Sequence, residues 1–131
     1  MILDADAEEL IINFLTTEMP NHGFLDIPTS DRVPQSGVES ITVIRTGGTR
    51  RDLVTDTAQI SIDVRAGSNS RAVEIIGMIR ALLNDMWGRV IDGWMIYNVD
   101  ELSGPYSNPL EPDYCRYSQN FLIAIRSKTA V

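Results

Sequence analysis

The sequence predicts an α+β fold in the order α-β-β-α-β-β, with a mostly antiparallel four-stranded sheet and two helices packed on one face. Three observations carry this expectation. Two stretches repeat apolar residues at helical spacing. A 27-residue run, ESITVIRTGGTRRDLVTDTAQISIDVR from Glu39 to Arg65, reads as two strands joined at Gly47-Gly48. Two further strand-like runs follow the second helix. With 131 residues and a 44% hydrophobic fraction, residues 1–131 form one domain around one core.

Leu3, Ala7, Leu10, Ile11, Phe14 and Leu15 recur with helical period. Asp6, followed by Glu9 three residues later, is an acidic variant of the capping box, and it places the first helix from Asp6 to Thr17. Pro20 closes it. From Met19 to Gly37 the chain carries Pro20, Gly23, Pro28, Pro34 and Gly37, which is loop chemistry, with a short extended piece at Phe24 to Ile27.

In the strand pair, Ala58, Ile60, Ile62 and Val64 alternate with Gln59, Ser61, Asp63 and Arg65, the pattern of a half-buried antiparallel strand. The connection TGGTRRDLVTD exceeds a two-residue turn and fits either a long projecting hairpin or a loop. Ser68 or Ser70 then caps a second helix from Arg71 to Trp87. Its stripe is Ala72, Ile75, Ile76, Ile79, Leu82, Leu83 and Met86, and Gly88 ends it. The third strand runs from Gly93 to Leu102. A turn-rich piece with Pro105, Pro109 and Pro112 follows, and the fourth strand runs from Tyr114 to Arg126.

The formal net charge is -7, which argues against a surface that grips nucleic acid throughout. Lys128 is the sole lysine; the other basic residues are arginine, whose planar fork suits interfaces. Arg45, Arg50 and Arg51 form a basic patch near the expected hairpin tip, fitted to phosphates or to an acidic partner. Cys115 is alone, so the expectation is a reducing cytosol without a disulfide. The acidic start MILDADAEEL lacks the basic flank of a signal peptide, and no stretch approaches the ~20 apolar residues of a membrane span.

Catalytic motifs are weak. Gly47-Gly48 is followed by Thr-Arg-Arg, unlike a phosphate-cradling loop. His22 stands alone in a proline-bounded loop, which makes a metal site or a triad a poor fit. Asp100-Glu101 and Glu111-Pro112-Asp113 flank the proline segment and can converge for acid-base work or cation binding, although close acidic pairs are expected by chance in a chain with 18 acids.

Four features together resemble a known family. The first is the acidic amphipathic helix Asp4 to Leu15 with its proline loop. The second is Arg45-Thr46-Gly47-Gly48 followed by Asp56-Thr57-Ala58-Gln59-Ile60. The third is the long helix with Ala72 and Arg80-Ala81-Leu82. The fourth is Pro112-Asp113, then Arg116-Tyr117, then a strand ending at Arg126. In that order and spacing, the chain resembles the tail terminator proteins of long-tailed bacteriophages, particularly those of actinobacteria.

The resemblance implies a structural virion protein, not an enzyme, with no cofactor or metal. It implies a hexameric ring at the head-proximal end of the tail tube, which stops tube polymerisation and docks the head-closure protein. Partners would be the major tail tube protein, the head-closure or connector protein and further copies of the chain, without a membrane. DNA would pass through the lumen without specific binding. The expected location is the head-tail junction of the virion, reached from the host cytoplasm. Arg45, Gly47, Gly48, Arg50, Arg51, Pro105, Pro109 and Asp113 are the candidate interface residues. Another connector or tube-like protein, a small enzyme using Asp100, Glu101 or Asp113, and a stand-alone interaction domain are the alternatives.

Overall fold

The computed structural model describes residues 1–33, 39–108 and 114–129. Its elements are β1 (Ile2–Leu3), α1 (Ala7–Glu18), a 3-10 turn (Met19–His22), β2 (Thr29–Ser30), β3 (Ser40–Asp52), β4 (Thr55–Ala66), α2 (Asn69–Asp85), β5 (Val90–Ile91), β6 (Trp94–Ser107), β7 (Cys115–Arg126) and β8 (Lys128–Thr129).

Alternation in β4 makes it the centre of the sheet. Ala58, Ile60, Ile62 and Val64 are fully buried, while Thr57, Gln59, Ser61 and Asp63 between them stay partly exposed. Strand β4 pairs antiparallel with β3 on one side and with β7 on the other. Ile41 and Val43 of β3, and Phe121, Ile123 and Ile125 of β7, extend the same apolar face by direct register. Helix α1 covers the β3–β4 side of that face and α2 crosses β4, β7 and β6. One cluster of buried side chains joins both helices to the sheet. Each fully buried Ile or Phe there contributes on the order of 1.5–3 kcal/mol.

Local chemistry sets the helix ends. Asp6 Oδ1 accepts the Glu9 amide at 3.2 Å, and Glu8 and Glu9 place negative charge at the positive end of α1. Gly23, at φ +88°, stops the 3-10 turn that continues α1. Ser68 Oγ accepts the Arg71 amide at 3.2 Å and caps α2.

The four-stranded antiparallel sheet expected from sequence is incorrect. The sheet is six-stranded, curled and mixed, in the order β2-β3-β4-β7-β6-β5, and β1 and β8 form a separate two-stranded sheet. Strand β2 runs parallel to β3, pairing Thr29 with Ile41 and Ser30 with Thr42, where the Ile41 amide donates to the Pro28 carbonyl at 2.8 Å. The four added strands are two residues each, too short to show alternation. The extended piece expected at Phe24 to Ile27 falls later, at Thr29–Ser30.

The hairpin turn also moves. It lies at Leu53-Val54, where Asp52 Oδ1 accepts the Val54 amide at 2.9 Å. Gly47 and Gly48 sit inside β3, beside a bulge between Arg45 and Gly47. Gly48 has φ +130°, and a Cβ there would lie 2.1 Å from the Thr57 carbonyl oxygen. Glycine at this position permits the close approach of two backbones.

Candidate interaction surface

The outer half of β3, from Thr46 to Asp52, is exposed and carries Arg50 and Arg51, with the half-buried Arg45 just before it. Two of the three are already engaged by acids of the same chain. Arg45 makes a two-pronged pair with Asp56, Nη1 to Oδ2 at 2.8 Å and Nη2 to Oδ1 at 2.9 Å. Hydrogen bonding to the Asp56 carboxylate is the main cause of the raised Arg45 pKa. The Arg45 amide, on the outer edge of β3, donates to Glu8 Oε2 at 2.7 Å. Arg50 pairs with Asp4, and Ser127 Oγ also donates to Asp4. The Ser127 amide donates to the Val54 carbonyl at 2.8 Å, so the segment before β8 is stitched to the hairpin turn.

Arg51 is the extra residue of a second bulge, between Arg50 and Asp52. It lies beside Asp52, whose carboxyl sits below its ordinary value chiefly through the Val54 amide. The basic patch is therefore a row of charge pairs with Arg51 at its end, not three unopposed cations. The acids that neutralise it come from Asp4, at the far end of the sequence, and from the opposite strand. Sequence reading missed Asp56 because the hairpin register was set at Gly47-Gly48, and Asp4 because it reaches Arg50 from outside the hairpin. With the turn at Leu53-Val54, Asp56 comes within reach of Arg45.

Pro105 lies in β6, after a cis Gly104-Pro105 peptide bond. Pro109 and Asp113 lie outside the described residues, as do Glu111 and Pro112. The structure thus brings Arg45, Gly47, Gly48, Arg50 and Arg51 onto one strand and places Pro105 across the sheet on β6, the other long outer strand.

Asp100 and Glu101 stand on the exposed part of β6. Glu101 pairs with Arg80 of α2 and accepts from Gln119 Nε2. The bond from Arg80 is the largest cause holding its carboxyl below the usual value. A carboxylate held ionised in this way is unsuited to donate a proton near neutral pH. Among the described residues, no three His, Cys, Asp or Glu side chains are grouped to hold a metal ion. His22 ends the 3-10 turn.

Among the described residues, both long outer strands are open over most of their length. Strand β2 covers β3 only at Ile41 and Thr42. Strand β5 covers β6 only at Val90–Met95 and Ile91–Trp94, and Ile96 bonds to Gly88 and Arg89. Beyond those points, β3 to Asp52 and β6 to Ser107 are sheet edges. Their exposed large apolar residues include Leu102 and Tyr106, with Leu53 at 80% exposure in the turn. Unpaired strand edges of this kind are templates for further pairing.

A shallow depression of about 310 Å³ beside α1 is lined by Asp6, Glu8, Glu9 and Asp31, together with Ile12, Thr29 and Ser30. No protein-family model matches the chain, and no curated protein matches it.

Proposed function

We propose that this protein is a ring-forming structural subunit of a long-tailed bacteriophage, acting at the head-proximal end of the tail tube to stop its polymerisation and to dock the head-closure protein. The observation that carries the reading is the pair of dissimilar open edges, β3 and β6, on opposite sides of one sheet. A cyclic ring requires two different patches per subunit, and two unlike edges supply them. The family resemblance in the sequence gives the ring its place on the tail. The net charge of -7 favours a channel through which DNA slides without sticking.

Electron microscopy of purified tail tubes mixed with the protein tests this. The expected result is a ring seated on one end of each tube and an arrest of tube growth. A helical stack along the tube would show a tube-like role instead. Absence of the protein from both tube ends, at concentrations where tubes elongate, would refute the reading.

A further inference from the structure

We propose that the open edges of β3 and β6 are the two halves of one junction between copies of this chain, with Arg51 of one copy opposite Asp100 of the next. This deepens the ring reading and rests on it. The four long strands β3, β4, β7 and β6 are antiparallel at every step, so β3 and β6 run in opposite directions. Rotation about an axis along the strands preserves direction. The β3 edge of one copy then meets the β6 edge of its neighbour antiparallel, and the alternation continues across the junction.

The register follows from charge. Within the chain Arg50 is held by Asp4 and Glu101 by Arg80, so the pair that sets the register is Arg51 opposite Asp100, with Arg50 and Glu101 in the adjacent row. Arg50 shares the row of Asp56 and Ile125, and Glu101 shares the row of Phe121 and Ile60, so both belong to the helix-bearing face. Within one sheet the row of Arg50 ends at Ile96. Glu101 lies four rows further along, because the bulge between Ile96 and Asn98 absorbs one residue, so moving the row there offsets the two sheets by roughly 14 Å, at ~3.4 Å per row. Four strands span roughly 19 Å at ~4.8 Å each. The resulting strand tilt is about 35°, at the lower end of the ~35–45° of closed sheets.

The same register clears β5: Trp94 and Met95, which carry it, fall past the neighbour's hairpin turn. The new ladder runs over Gly48 to Asp52 against Val99 to Ser103. It stops where Pro105 has no N–H to donate.

Cysteine cross-linking in a Cys115→Ser background tests the junction, since directly opposed residues satisfy disulfide geometry. Arg51→Cys protein mixed with Asp100→Cys protein should form linked heterodimers on oxidation. The double variant should form a ladder of linked species. Arg51→Glu should reduce ring formation, and the swap Arg51→Glu with Asp100→Arg should restore it. Rings without cross-links above those of the mismatched pair Arg51→Cys and Ser107→Cys would overturn the junction and leave the ring reading standing. Cross-linked open filaments that never cap a tube would support the junction and overturn the ring reading. Neither rings nor cross-links, on tube ends or at high concentration, would overturn both.

Discussion

Arg45 sits opposite Ile60 in the β3–β4 ladder, yet its guanidinium runs along the strand to hold both carboxylate oxygens of Asp56. Between the two lies the Gly47-Gly48 segment, whose Gly47 carbonyl accepts from Arg45 Nε at 3.0 Å. The glycines let the strands approach, and the charge pair then bridges the segment that carries no side chain.

Removing Asp56 should leave Arg45 without its partner at a site where the carboxylate is only 10% exposed. Asp56→Ala is expected to cost about 2–3 kcal/mol, below the full penalty for a wholly buried pair because Arg45 remains partly solvated. Arg45→Lys should cost less than Asp56→Ala, since it keeps the charge and loses the fork. Urea unfolding midpoints of the two variants measure this order.

The two glycines separate into different kinds of substitution site. Gly48→Ala forces a Cβ against the Thr57 carbonyl, a backbone atom that cannot rotate away, in addition to the strain of φ +130°. A loss of roughly 3 kcal/mol or more is expected. Gly47→Ala meets nothing within 4 Å and carries only the strain of φ +148°, so roughly 1 kcal/mol is expected. Equal thermal midpoints for the two variants would contradict the proposed close approach.

At the start of α1, Asp6→Ala removes the acceptor for the Glu9 amide and should cost about 1 kcal/mol. Asp6→Asn keeps an oxygen acceptor and should cost less. Ser68→Ala should behave at α2 as Asp6→Ala does at α1. Thermal unfolding monitored by circular dichroism reads all three.

Acidification should act through Glu101. Its carboxyl is held below the ordinary 4.5, first by Arg80 and next opposed by burial. The unfolded chain therefore takes up this proton before the folded one does, and the stability contributed by Arg80–Glu101 is present above pH about 4.5 and lost as pH falls through the lowered folded value. Glu101→Gln should flatten the part of the stability-versus-pH curve between those two values. An unchanged curve would show that Arg80 does not hold this group ionised.

How much of this was legible in the sequence depends on the length of each element. Alternation over Ala58 to Val64 and the helical stripe from Ala72 to Met86 are long patterns, and they locate β4 and α2. Thr29–Ser30 and Val90–Ile91 are pairs of residues whose strand character comes from a neighbour, β3 or β6, and no local pattern announces them. Gly47-Gly48 misled for a physical reason. Glycine marks both tight turns and close strand contacts, and only the position of Asp52, which caps the true turn at Val54, separates the two. The basic patch was visible, but its neutralisation by Asp4 was not, because that pairing depends on β1 and β8 meeting.

The central ladder sets an order for folding. Strand β4 reaches β3 through a short turn, whereas it reaches β7 only after α2, β5 and β6 have been threaded between them, so that Ala66 pairs with Cys115. Closing the first loop costs little chain entropy and closing the second costs more. The β3–β4 ladder therefore closes at the lower entropic cost, and the β4–β7 ladder at the higher. Until the second ladder closes, β4 exposes a bare apolar edge, which makes nascent chains most vulnerable to aggregation just before β7 arrives.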